Sequence, residues 1–267
     1  MVMQRFEDRK VIVTGAGRSI GESIARRFGS EGAFVAVLDL DDKAAERVAA
    51  AIRSAGGEAL DIDVDLTNTR GLRLALDRAR KELGGVDILI NNASVVTKNT
   101  IQETDGDDWD LELDVTLKAA YLASREILRY MVEAGQGVII NLGSVNAHMA
   151  LGHPAYSAAK AGVTSLTRSI AVEYGPLGIR CNMVSPGTVR TENDKWRKRL
   201  QIDPEIVEKL ERWYPVGRIG DAKDVAAAVA FLASDEASFI NGADLVVDGG
   251  LSAGNMPMMA ELTQRGD

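Results

Sequence analysis

Seven short apolar runs recur along the chain, and this alternation most limits how it can fold. They read KVIVTG, AFVAVLD, EALDIDVD, DILIN, GVIINLGS, IRCNMVSPG and ADLVVDGG, and amphipathic stretches with helical spacing separate most of them. Continuous Val/Ile/Leu runs suit strands covered on both faces. Strand–helix alternation builds right-handed βαβ units into one parallel sheet. The expectation is an α/β protein, a doubly wound parallel sheet with helices on both faces. A length of 267 residues suits one large domain or two small ones. With no low-complexity linker and no solenoid repeat, the reading is a single domain over 1–267. One segment breaks the alternation, about 188–220, with Trp196, Trp213 and Tyr214. It reads as an irregular insertion or lid covering a substrate.

The first run ends in TGAGRSIG, Thr14 to Gly21. Glycine allows a sharp turn and close approach of a phosphate to the backbone, and the following helix offers its positive end. The spacing differs from G-x-G-x-x-G, and a plain strand-to-helix turn also fits it. Asp39 closes the second run, 18 residues after Gly21. A carboxylate there accepts from both hydroxyls of an adenosine ribose and repels a 2′-phosphate, which favours NAD over NADP. Arg18, a basic side chain in the glycine loop, works against that preference. Asp39 is otherwise a strand-end acid.

Tyr156 and Lys160 stand four apart in HPAYSAAKAG. Residues four apart share one helix face. An ammonium beside a phenol favours the phenolate, so the pair predicts a tyrosine pKa below the ordinary value of about 10. That suits a general acid–base. By spacing alone, the pair is equally a buried aromatic beside a lysine on a packed helix.

These residues together resemble the short-chain dehydrogenase/reductase family. Its T-G-x-x-x-G-x-G pattern is met at Thr14, Gly15 and Gly21, with Ser19 in place of one glycine. Its N-N-A-G is NNAS here, Asn91 to Ser94. Its serine and Y-x-x-x-K are Ser144, Tyr156 and Lys160. Its P-G motif lies in SPGTVRT, and its D-G-G lies in VVDGG. The matches run in order over nearly the whole chain. The resemblance implies a Rossmann-like fold and reversible oxidation of a secondary alcohol to a ketone with a nicotinamide cofactor. Tyr156 is implied as the acid–base, Ser144 as the partner of the substrate oxygen, and Lys160 as the holder of the nicotinamide ribose. Gly15, Arg18, Ser19, Ile20 and Gly21 fall at the diphosphate. Asp65 and Leu66 fall at the adenine, with Asp63 competing for the same place. Asn91 and Ala93 fall against the adenosine. Pro186, Gly187, Thr188, Val189 and Thr191 border the nicotinamide. Thr116 stands where the family has an asparagine that supports proton delivery. A threonine has one hydroxyl donor where an amide has a carbonyl and two N–H donors, so Thr116→Asn is expected to retain or raise turnover.

Composition narrows the field. A net charge of −8 argues against a nucleic-acid binder. The single cysteine, Cys181, rules out an intrachain disulfide. His148 and His153 are five apart, unlike a helical zinc pair, so no metal is expected. No apolar run is long enough to cross a bilayer, the N-terminus lacks an apolar signal region, and the expected location is cytoplasmic. His148, His153, Ser144 and Trp196 are candidate substrate contacts, with loop and core roles as the alternatives for the histidines and the tryptophan. NAD points to a catabolic alcohol, sugar or polyol dehydrogenase. A 3-oxoacyl reductase using NADPH and a weakly active dinucleotide sensor or scaffold are the competing readings. The resemblance also implies a homo-oligomer, a tetramer first, through helices near 109–134 and 156–174.

Overall fold

The computed structural model describes residues 4–191, 194–254 and 258–259. All seven expected runs form strands. They are β1 (Lys10–Thr14), β2 (Phe34–Asp39), β3 (Glu58–Asp63), β4 (Ile88–Asn91), β5 (Gly137–Leu142), β6 (Ile179–Pro186) and, after a separate pair β7 (Val189–Arg190) and β8 (Gly220–Asp221), β9 (Asp244–Val247). The main sheet has the order β3-β2-β1-β4-β5-β6-β9, parallel throughout. Residues along a strand alternate between faces. Val11 and Val13 therefore enter one core with α1 (Ser19–Ser30), α2 (Asp42–Ser54) and α9 (Ala222–Ala233). Ile12 enters the other with α3 (Thr69–Leu83), α5 (Ala119–Ala134) and α6 (Pro154–Tyr174). Phe28, Val48 and Val229 anchor the first layer, and Leu76, Ile127 and Met131 anchor the second.

Helix ends follow local chemistry. The Asp41 and Asn68 side chains accept from the backbone N–H of Ala44 and Gly71, capping α2 and α3. Each such cap contributes about 1 kcal/mol. Gly84 and Gly135 end α3 and α5 in the left-handed conformation, with φ 75° and 68°. Between α4 (Gly106–Leu113) and α5 the chain stays helical but widens into a π-turn over Asp114–Lys118.

The segment 188–220 corrects one expectation, because it is not irregular. It holds the β7–β8 ladder and two helices, α7 (Asp194–Ile202) and α8 (Ile206–Glu211). Its few apolar residues suffice for a small core of its own, with Trp196, Tyr214 and Ile219 buried and Ile206, Val207 and Leu210 packed on them.

The carboxyl ends of β1, β2, β4, β5 and β6 all open on one edge. Strand order reverses between β1 and β4, the place where open α/β sheets carry their ligand crevice. No described helix is long and apolar enough to cross a membrane.

Candidate active site

At the end of β1 the backbone is packed so closely that side chains are excluded. A Cβ on Gly21 would lie 2.1 Å from the Gly15 carbonyl oxygen and 2.5 Å from Asn92 Nδ2. Gly15 has φ 61°, and its Cβ would lie 2.8 Å from Ala93 Cα. The loop therefore leaves bare backbone at the N-terminus of α1, a cradle for a diphosphate. Asp39 lies beside it, buried, with Oδ2 accepting from Gly17 N at 2.8 Å and Oδ1 accepting from Asp41 N at 3.1 Å. Arg18 is exposed at the helix N-cap. Ile20 packs under the loop against the first core. Ser19 adopts φ 57°. Left-handed backbone suits glycine, so the missing family glycine falls where a side chain is strained. These residues fit a nicotinamide dinucleotide in its diphosphate and ribose portions.

Leu66, Thr14, Asn91, Ala93 and Val115 line a small cavity next to this cradle. Asp65 is exposed and turns back on Thr67, whose N–H and hydroxyl both donate to it. Asn91 lines that cavity and is also tied inward. Its amide donates into the core, to Asn141 Oδ1 at 2.8 Å and Ser124 Oγ at 3.0 Å. The residue that fastens the glycine loop is the next one. Asn92 Nδ2 donates to the carbonyls of Thr14 and Gly15 at 2.9 and 2.8 Å.

The acid–base residues gather at the end of β5 and the start of α6. Ser144 caps a short turn, with its hydroxyl accepting from Asn146 N at 3.2 Å and donating to Asn146 Oδ1 at 3.3 Å. Lys160 is 2% exposed, its Nζ donates to the Leu142 carbonyl and it sits 5.4 Å from the centre of the Tyr156 ring. Packing reverses the expected lowering of the tyrosine pKa. Burial pushes the phenol up to about 12, a hydrogen bond with Ser144 eases it down, and the Glu112 carboxylate pushes it up again. Burial also drags the Lys160 ammonium down to about 7. Tyr156 as a residue keeps partial solvent contact. Desolvation disfavours both charged forms and outweighs their proximity. Thr116 lies in the π-turn, 2% exposed, and its hydroxyl has no hydrogen-bond partner among the described residues.

Pro186 ends β6 and Gly187 N donates to the Val247 carbonyl at 3.1 Å. A Cβ on Gly187 would press on Asp248 and Tyr214 at 3.0 and 3.2 Å. Thr188 N donates to the Tyr214 hydroxyl at 2.7 Å. Val189 pairs with Gly220 in the β7–β8 ladder, and Thr191 follows it. The Trp196 indole donates to the Val189 carbonyl at 2.9 Å, inside the small core of the segment. His148 Nε2 bonds Asp244 Oδ2 at 2.7 Å. His153 Nδ1 bonds the Lys98 carbonyl at 2.9 Å, and its backbone N–H donates to the Asn99 carbonyl at 2.9 Å. Both histidines thus fasten loops.

Asn92, Asn146 and Glu112 stand in this site without having been given a role from sequence, and Tyr214 was marked only as an aromatic of the 188–220 segment. Asn146, two residues after Ser144, carried a positional signal. Glu112 carried another, as an acid in register with Trp109, Leu113 and Thr116 on one helical face.

The sequence profile of a family described as "Enoyl-(Acyl carrier protein) reductase" matches residues 15–252. The chain is 36% identical to meso-2,3-butanediol dehydrogenase of Serratia marcescens, over 93% of this chain and 96% of that protein. It is 41% identical to an oxidoreductase from Burkholderia thailandensis of known structure, with a TM-score of 0.86 over 97% of this chain and 98% of that one. A structure from Beutenbergia cavernae with bound NADP at low occupancy superposes with a TM-score of 0.87 and 32% identity, over 94% of this chain and 99% of that one.

Proposed function

We propose, for a chain that belongs to the short-chain dehydrogenase/reductase family, an NAD-dependent dehydrogenase that interconverts a polyol- or sugar-like secondary alcohol and its ketone. Enzymes of this family act on CH–OH groups with a nicotinamide dinucleotide. The observation that carries the reading is the convergence of Ser144, Tyr156 and buried Lys160 beside the glycine cradle. Its finer parts draw on Asp39 for the cofactor and on the similarity to a diol dehydrogenase for the substrate.

In oxidation, Tyr156 takes the proton of the substrate hydroxyl while Ser144 holds the same oxygen. A nicotinamide dinucleotide held at the glycine cradle would supply the hydride acceptor. The protein orients and polarises. The phenol, raised by burial, needs positive charge nearby to ionise. The Lys160 ammonium and an oxidised nicotinamide are such charges. Gly15, Ser19, Ile20, Gly21 and Arg18 hold the diphosphate, Asp39 the ribose, and Asp65, Leu66, Asn91 and Ala93 the adenosine. Pro186, Gly187, Thr188, Val189 and Thr191 border the nicotinamide. Thr116 supports Lys160 from the adjoining turn. His148, His153 and Trp196 shape the substrate walls through the loops they fasten. Exposed Trp109, Tyr121 and Val132 on α4 and α5, with Val172 on α6, favour self-association, and the reading takes a homotetramer as the assembly and the cytoplasm as the location.

The test incubates the protein with NAD or NADP and a panel of polyols, sugars, simple secondary alcohols and a 3-oxoacyl thioester. Turnover of an alcohol with NAD that falls at least a thousandfold in Tyr156→Phe is expected. Preference for NADPH and the thioester would replace this reading with an acyl reductase.

A further inference from the structure

Glu112 is the least expected group in the site. It is a carboxylate with 1% exposure, on the last turn of α4, yet it makes no ion pair among the described residues. One oxygen is doubly engaged. Oε1 accepts from both the backbone N–H and the hydroxyl of Thr97, each at 2.5 Å. The other oxygen, Oε2, is enclosed and has no partner among the described residues. Buried polar atoms in native proteins are almost always hydrogen-bonded, so an orphaned carboxylate oxygen needs an explanation.

Its surroundings supply one. Helix α4 packs against α6. Gly162 of α6 rests on Leu117, where an added Cβ would lie 2.7 Å from a leucine methyl. Glu112 lies close enough to Tyr156 to oppose ionisation of the phenol. Thr97, which Glu112 grips, belongs to the segment following Asn91–Ala93. The next residue, Lys98, gives its carbonyl to His153 at the start of α6. Glu112 is therefore tied through Thr97 to the segment that meets the start of α6, and it lies near the acid–base tyrosine. A carboxylate oxygen can only be completed by a donor, and a group beside the reacting carbon is well placed to bring one.

We propose that Glu112 is a specificity-determining residue that accepts a hydrogen bond from the second hydroxyl of a vicinal-diol substrate while the first hydroxyl reacts at Tyr156. This rests on the dehydrogenase reading above and deepens it. Glu112 holds the Thr97 loop with Oε1 and the substrate with Oε2. A mono-alcohol of the same size leaves Oε2 unpartnered, and an unmade bond to a buried charged group discriminates strongly.

The experiment compares meso-2,3-butanediol with 2-butanol, each with NAD and with NADP, in the full-length protein and three variants. The unsubstituted protein is expected to prefer the diol at least tenfold in kcat/KM. Glu112→Gln keeps an oxygen for Thr97 but turns the other position into an N–H donor. Loss of the charge beside Tyr156 shifts both alcohols together, and on top of that common shift the ratio of diol to 2-butanol kcat/KM is expected to fall at least tenfold, mostly through the diol KM. Thr97→Ala removes the hydroxyl grip but keeps the carboxylate, and is expected to affect both alcohols alike. Equal losses on both alcohols in Glu112→Gln, or no preference for the diol in the unsubstituted protein, overturn the inference. If Tyr156→Phe abolishes turnover in the same assays, the dehydrogenase reading survives that failure. If neither alcohol turns over, calorimetry of the diol with the NADH-loaded protein decides. Binding lost in Glu112→Gln supports the inference by itself, and no binding overturns it together with the substrate reading.

Discussion

The glycine loop and the acid–base end of α6 lie on the same edge of the sheet, and they are finished to different degrees. At the loop, Asp39 and Asn92 are tied to backbone on both sides, and Gly15, Gly17 and Gly21 leave no room for a methyl group. At the acid–base end, among the described residues, Glu112 Oε2 and the Thr116 hydroxyl have no partner, and the buried Lys160 ammonium donates to the Leu142 carbonyl. The first region is shaped by sterics and stands ready before any ligand arrives. The second holds polar groups whose partners are absent, and it carries their cost in stability. In one small crevice, binding is built from packing and chemistry is built from unmet hydrogen-bonding capacity.

The comparison breaks most readily at Gly21. Gly21→Ala puts a methyl against the Gly15 carbonyl oxygen. Overpacking with no room to relax costs about 3 kcal/mol, and distortion of the cradle should weaken cofactor binding more than a hundredfold. A urea melt and a fluorescence titration with NAD measure both. A variant as stable as its parent, with binding within threefold, would show that the loop is not sterically set.

Lys160→Met sharpens the other side. Lys160 in the folded protein titrates near 7, down from 10.5. Below pH 7 both the folded and unfolded chains carry the ammonium, and the folded one bears its full desolvation penalty. As pH rises through 7 the folded lysine sheds its proton while the unfolded one keeps it to about 10.5. The penalty then shrinks and stability rises with pH across that window. Lys160→Met is therefore expected to be more stable than its parent at neutral pH, by a few kcal/mol, with the gap closing by about pH 10. Denaturant melts of both proteins from pH 6 to 10 test this, and a gap that does not change with pH would contradict it.

The smallest effect belongs to Ser19. Its left-handed backbone costs roughly 1 kcal/mol that glycine would avoid. Ser19→Gly should raise Tm by about 2–4 °C in a chain of this size. An unchanged or lower Tm would mean that the serine side chain offsets its own strain.

Much of this architecture was legible in the residues. Strands such as Val11–Val13 and Ile139–Leu142 are covered on both faces, so burial writes continuous apolar runs into them. The 188–220 segment was harder. Its helices are highly charged and rest on a handful of buried residues around Trp196 and Tyr214, too few to show a period. Asn91 and Asn92 illustrate a second limit. Successive strand residues face opposite ways, and which of two asparagines meets the crevice depends on the fold. The direction of the Tyr156 pKa illustrates a third. The neighbouring lysine is visible in the spacing, while the desolvation that overrides it exists only once the chain is packed.

The π-turn at Asp114–Lys118 has a consequence for how the site can change over time. One residue of helix corresponds to about 100° of rotation. Removing a single residue from that turn would let α5 keep its seat on the sheet while α4 swung round by more than a quarter circle. Glu112 would leave the neighbourhood of Tyr156 and a different side chain would take its place. The extra residue thus works as a gearing between a fixed shaft and an adjustable one. Substrate preference could be reset by indel length at this point without disturbing the core.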